Sequence, residues 1–381
     1  MQGPRGTKTE EIQKVIDLID QVFRINAGLP PSMGQEFPLL LGENNKDRMR
    51  VVVDEDQPVA VVNYYKSNFS IQGVTVPVGS VGAVCTHPDY QGRGLATTLL
   101  DDVEDNMKQE GILLMLVSGR LNVYRRRLCS VAGDFYKATF YPQSRETSID
   151  LVPYTPEYED DMRRLYHGEN LRYHRSYEEF IGFLKGGTTP WGKLQYQVYL
   201  IRENGAFSGY FVLGIAEEAD HTWGKIKEYA GDRNQIIEGC YQAMKQHQLA
   251  FINLYFPAQD MIKFPMQRQE VQIEKENQVG TIKILQYTKL MDQLRTYFAQ
   301  YAKQEYLDQL NYHEKEGAYY LGIGDQILKL ENLDELNQFL FGVDHQDSKY
   351  SWDLQDQPAL QEFCKQVLPI PMPWAGCLNF I

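Results

Sequence analysis

Gln91-Gly92-Arg93-Gly94-Leu95-Ala96-Thr97 is the segment whose residue types and spacing could do chemistry. It follows Cys85-Thr86-His87-Pro88-Asp89-Tyr90 and opens a helix-like stretch. The first amides of a helix have no partner within it, and the dipole there favours negative charge. Gly92 and Gly94 keep side chains away from those amides. The segment reads as a cradle for a pyrophosphate. A Walker loop is excluded, because no Lys followed by Ser or Thr closes the motif. A dinucleotide fingerprint is excluded as well, because Thr97 stands where its third Gly or Ala belongs. The pattern that fits is Q/R-x-x-G-x-G/A, met by Gln91, Gly94 and Ala96.

The elements around the cradle are legible from periodicity. Residues 75–86 carry a strand. Leu95, Leu99, Val103 and Met107 stripe a helix that ends at Gly111. Residues 112–117 form the next strand, and residues 122–128 a short helix containing Tyr124. Upstream, residues 9–24 show an apolar helix face, and residues 50–54 and 59–65 form a hairpin. Strand–helix–strand units of this kind indicate a mixed sheet. The unit has an echo at residues 225–256, which keeps strand, helix and strand but offers Asp232-Arg-Asn-Gln in place of the Gly-rich turn. That second unit is expected to hold no cofactor. Polar and Pro-containing stretches at 141–156 and 267–280 suggest boundaries, giving domains at 1–148, 149–280 and 281–381. The tail, Val367 to Ile381, is too apolar for a loose end and is expected to dock.

Bulk properties narrow the function class. A chain of 381 residues is too long for one ordinary core. A net charge of −13 argues against general nucleic-acid binding and is compatible with a cationic substrate. No apolar run reaches the length of a membrane span, and residues 1–7 lack a signal-like apolar stretch. Five cysteines without a C-x-x-C pair suggest reduced thiols in the cytoplasm. The seven histidines show no metal-ligand spacing, so no metal is expected. His87 beside Pro88 reads as a turn residue. Arg125-Arg126-Arg127 is expected to be a solvated helix face, and Phe23, Phe37 and Tyr64 core rather than walls of an amine pocket. Cys85 has no neighbouring base that would make it a nucleophile.

The cradle segment resembles that of the GCN5-related N-acetyltransferases (GNAT). The order and size of the whole chain resemble the Eis-like branch of that superfamily. The resemblance implies an α+β fold: tandem GNAT sheets flanked by helices, the second degenerate, plus a C-terminal α+β domain similar to sterol carrier proteins. It implies acetyl-CoA as co-substrate, with Val84 and Thr86 along its pantetheine arm and Gln91, Gly92, Arg93, Gly94, Ala96 and Thr97 around its pyrophosphate. It implies a small amine as acceptor, polycationic and aminoglycoside-like, direct transfer in a ternary complex, and a homo-oligomer, plausibly a hexamer.

An ordinary amine has a pKa near 10.4, so near pH 7 only about one molecule in a thousand is neutral, a deficit of about 4–5 kcal/mol. A base must recover that deficit, and an acid must protonate the departing thiolate. Tyr124 matches the family's acid. The main-chain carboxylate of Ile381 resembles the base that the Eis-like branch delivers from its tail. The rival readings are a protein or peptide N-acetyltransferase and a non-catalytic acyl-CoA or lipid-binding module.

Overall fold

The computed structural model describes residues 1–144, 148–343 and 348–381. Residues 145–147, inside the expected boundary at 141–156, lie outside them. The N-terminal stretch supplies β1 (Gln2–Gly6), β2 (Met49–Asp54), β3 (Gln57–Ile71), β4 (Val74–Thr86) and β5 (Leu114–Val117). The middle supplies β6 (Phe135–Phe140), β7 (Asp150–Pro153), β8 (Leu171–Tyr173), β9 (Leu194–Glu203), β10 (Ala206–Glu217), β11 (Thr222–Gly231), β12 (Ile252–Pro257) and β13 (Gln272–Glu276). The last stretch supplies β14 (Thr281–Ile284), β15 (Leu310–Lys315), β16 (Ala318–Ile323) and β17 (Gln326–Leu330). No helix of the described residues is long and apolar enough to cross a membrane.

Two seven-stranded sheets and one of three strands result. Their orders are β1-β2-β3-β4-β5-β14 with β8 on β3, β13-β6-β12-β11-β10-β9-β7, and β15-β16-β17. Two-residue turns with both central φ positive join β2 to β3 at Glu55-Asp56 and β3 to β4 at Gln72-Gly73. Such turns match the right-handed twist of a hairpin and keep it tight. β3 therefore runs on to Ile71, well past the 59–65 read from the sequence. β4 and β5 are parallel, so a crossover is needed, and helix Leu95–Gln109 provides it. Its Leu99, Leu100, Val103 and Met107 are buried against the first sheet.

Strands are exchanged between the three stretches. β6 precedes residue 148 yet pairs with β12 and β13 of the second sheet. β8 crosses to β3, and β14 pairs antiparallel with β5, closing the first sheet. Buried Asn337, on helix Leu333–Phe341, bonds three partners across this seam. It accepts from the Ile284 amide (3.0 Å) and donates to Ser130 Oγ (2.9 Å) and the Leu128 carbonyl (3.1 Å).

Removing Asn337 leaves the buried Ile284 amide unpaired, which costs roughly 1–3 kcal/mol, and takes a donor from Ser130 and from the half-buried Leu128 carbonyl. Asn337→Ala is predicted to lower the unfolding free energy by roughly 2–4 kcal/mol, measured by denaturant titration.

Candidate active site

The site begins where β4 and β5 part. They pair from Val78 opposite Leu114 to Val81 opposite Val117, and a last Ser118 amide bond reaches the Val81 carbonyl at 3.3 Å. On its other side β4 stays paired with β3, but with a slip: Asn63 faces Gly82 while Val61 faces Cys85. Ala83 and Val84 thus oppose Val62 alone, which is a β-bulge, and Ala83 takes the left-handed conformation (φ +49°). Asn63, wholly buried, donates to the Ala83 carbonyl at 2.9 Å and fixes the bulge. Beyond Val81 the β4 edge that faced β5 is unpaired, and Val84 borders the resulting cavity.

Thr86 ends β4, and its carbonyl accepts from the Gln91 side chain at 3.4 Å. The Gln91 amide closes on Pro88, and the Thr98 amide bonds back to Gly94. Among the described residues, no backbone amide from 92 to 97 is bonded to a backbone carbonyl. Ala96 and Thr97 sit in the first turn of helix Leu95–Gln109, and Gly94 is its left-handed cap. Arg93 folds back, donating to the Asp89 carbonyl (2.9 Å) and lying over the Tyr90 ring. Gly92 and Gly94 take φ values of +75° and +78°, which side-chain-bearing residues rarely adopt, and a Cβ on either would meet no other part of the chain within 4 Å.

Tyr124 lies on helix Asn122–Arg125 and borders the same cavity. Its ring packs over Gly119, where a Cβ would come within 3.0 Å of it. Burial pushes its phenol pKa up to about 12. The loop before it is pinned from the far end of the chain. Thr281 Oγ1 donates to the Gly119 carbonyl (3.1 Å), and Arg120 donates to the Gln278 carbonyl (2.9 Å). Gln278 in turn holds the tail, donating to the Pro373 carbonyl and accepting from the Ala375 amide.

The tail then runs to the bulge. Trp374 stacks on Tyr255 at 4.9 Å. Asn379 Oδ1 accepts from Arg175 Nε at 2.8 Å, and the Leu378 amide reaches Glu228 at 3.3 Å. Arg175 and Glu228 form a buried bidentate pair (2.9 and 2.6 Å), and Tyr210 donates to the same carboxylate. Two residues further on, Ile381 is buried against Gly82. A Cβ on Gly82 would lie 2.8 Å from the Ile381 carbonyl carbon. Val84, Tyr124 and Ile381 thus border one cavity of about 270 Å³.

The cavity's second wall comes from the middle stretch: Gly186, Gly187, Thr189, Trp191, Tyr196 and Lys227. Arg24, Glu36 and Lys227 are its charged side chains, none of them singled out from the sequence. Arg24 and Glu36 form a bidentate pair at 2.9 and 2.5 Å. Phe23, expected in the core, is exposed and borders the cavity, while Phe37 packs against the core as expected and borders the cavity too. Tyr64 does not: it is buried and donates to Glu110 at 2.7 Å. Arg127 pairs with Glu104 and Asp101 rather than facing solvent alone. Burial pushes the Cys85 thiol up to about 12, which keeps it unreactive. His87 accepts from the Asp89 amide, as a turn residue does.

β11 and β12 repeat the parting strands, pairing in parallel only from Gly224 to Ile226. The helix that follows differs at its start. Asp232 accepts from the amides of Asn234 (2.9 Å) and Gln235 (3.1 Å). A carboxylate of the chain itself therefore takes the place an external anion would need.

Residues 4–132 match the acetyltransferase (GNAT) domain family. The fold of the whole chain is shared with solved structures. A GCN5-related N-acetyltransferase from Anabaena variabilis superposes with a TM-score of 0.67 at 14% identity, over 97% of this chain and 98% of that one. A probable N-acyltransferase from Enterococcus faecalis gives 0.59 at 12% identity, over 88% and 89%. Eis1 from Mycobacterium abscessus gives 0.55 at 14% identity, over 89% of each. No curated protein matches the chain in sequence. Residues 4–132 thus form an acetyltransferase domain of the GNAT type, and over the rest of the chain the likeness is one of fold.

Glu228→Gln strands the buried Arg175 charge, and breaking such a pair costs about 3–5 kcal/mol. The variant is predicted to melt at lower temperature and to lose tail residues to carboxypeptidase faster than the parent protein.

Proposed function

We propose that this protein acetylates a primary amine of a small molecule by direct transfer from acetyl-CoA in a ternary complex. One observation carries the reading: Tyr124 and the main chain of Ile381 converge on the β4 bulge in one cavity, and the turn that follows β4 in the chain leaves the amides of residues 92–97 without backbone partners among the described residues. The amides of residues 92–97 bind the pyrophosphate, with Gln91 and Arg93 shaping the loop. The free edge of β4, at Val84 and Thr86, receives the pantetheine arm. The C-terminal carboxylate at Ile381 takes a proton from the ammonium, and the freed nitrogen forms its bond to the acetyl carbon. As the C–S bond breaks, Tyr124 gives its proton to the departing sulfur. The acylated nitrogen then sheds its second proton, which restores Tyr124, and the proton held at Ile381 leaves to solvent, so each transfer releases one proton and charge balances. Because the phenol pKa lies near 12, Tyr124 stays a proton donor across the neutral range. Asn379, Leu378, Arg175 and Glu228 are positioning groups that hold the tail. The polycationic, aminoglycoside-like acceptor and the hexamer are implied by the resemblance, and the C-terminal stretch is read as the sterol-carrier-like domain on the same ground.

Tyr124→Phe is predicted to retain coenzyme A binding by calorimetry and to lower kcat by roughly 10²–10⁴, the usual worth of a general acid. Extending the chain a few residues past Ile381 moves the carboxylate out of the cavity. That protein should bind acetyl-CoA normally and release coenzyme A thiol from amines at least a hundredfold more slowly. Full activity in the extended protein would refute the tail's role.

A further inference from the structure

Lys227 is a charged side chain of the acceptor cavity, and no carboxylate of the described residues lies within ion-pair distance of it. Its ammonium donates to the Gly187 carbonyl at 2.7 Å and lies 4.7 Å from the centre of the Tyr196 ring. Both of those residues border this cavity and not the larger one that Lys227 also touches. The surrounding carboxylates are engaged elsewhere. Glu36 is held by Arg24, and Glu228 by Arg175. Among the described residues Lys227 enters no ion pair, and burial lowers its pKa to about 8, so it is still mostly charged at pH 7. A desolvated ammonium with donors to spare is costly unless an anion meets it.

Apart from Ser118 and Thr189, the remaining side chains of the lining are mostly apolar and aromatic, Phe23, Met33, Phe37, Leu121, Trp191 and Phe380 among them. We infer that Lys227 binds a carboxylate of the acceptor, so that the molecule acetylated is an apolar amino carboxylate and not an oligocation. The inference rests on the acetyl-transfer reading above and replaces the oligocationic acceptor that the resemblance implies. The amine lies toward Tyr124 and Ile381, and the carboxylate toward Lys227. With the Arg24–Glu36 pair neutral and Lys227 offset by the terminal carboxylate, a zwitterion leaves no net charge in the cavity. An oligocation leaves its extra charges uncompensated beside Lys227.

The test measures coenzyme A thiol release by the full chain with acetyl-CoA and paired acceptors. Phenylalanine is set against phenethylamine, 6-aminohexanoate against hexylamine, and spermidine serves as the oligocation. Charge-assisted bonds are worth tenfold or more in affinity. The expected result is a kcat/KM at least tenfold higher for the acid in one or both pairs, with spermidine poorest. Lys227→Gln should bring that pair to within about twofold, chiefly by raising KM for the acid, and Lys227→Arg should keep the preference. A plain amine or spermidine preferred, or a ratio unmoved by Lys227→Gln, overturns the inference while leaving acetyl transfer standing. Turnover with none of the five acceptors overturns both.

Discussion

Beyond Val81 and Val117, two parallel strands that were hydrogen-bonded stop pairing, and β4 buckles at Ala83. A parallel pair left in register would fill its own edges and leave no groove. The bulge puts an extra residue into β4, and the twist it adds carries the strand away from β5. What the parting leaves is a β4 edge no longer bonded to β5, followed in the chain by a helix start whose amides 92–97 have no backbone partner among the described residues. Unpaired backbone groups are costly when buried and useful when a ligand can satisfy them. Asn63 below the bulge and β14 beyond β5 hold the opening in shape. The contrast with the second sheet shows how little separates an occupied site from an open one. There Asp232 satisfies the helix amides from within the chain.

The rest of the molecule is organised around delivering the tail to that opening. The exchanged strands β6, β8 and β14 prevent the three stretches from acting as separate beads. The Arg175–Glu228 pair is the anchor of the last turn of chain. Taking two charges out of water is expensive, and such a pair is weak evidence for stability in itself. Its geometry is directional, however. The fork of Arg175 has one side on Glu228 and the other on Asn379, so the register of the tail is fixed two residues before its end. A purely apolar contact would tolerate a slip of the tail by an ångström; this arrangement would not.

Local signals were the legible ones. The cradle, the helix behind it and the strand before Tyr124 could all be read, because glycine spacing and apolar periodicity are properties of short segments. The apolar tail announced that it docks but not where. What stayed hidden depends on pairing between distant segments. Nothing near Ala83 in sequence marks a bulge, since a bulge is a mismatch with β3. Glu36, Arg24 and Lys227 look like ordinary surface charges until the second wall of the cavity folds over them. Tyr64 is bonded to Glu110 inside the fold and Phe37 borders the cavity, and neither local segment announces its distant partner. The strand exchange was invisible for the same reason: residues 135–140 follow the first unit in the chain, and only their partners place them in the second sheet.

Hydrogen exchange read by mass spectrometry, with and without coenzyme A, tests the central claim most directly. If unpartnered main-chain groups grip the coenzyme, peptides covering residues 82–86 and 92–97 should exchange markedly more slowly in its presence. Peptides covering 232–236, where Asp232 already occupies the helix start, should not change. Saturating coenzyme A that leaves the first two segments exchanging as fast as before would contradict the account.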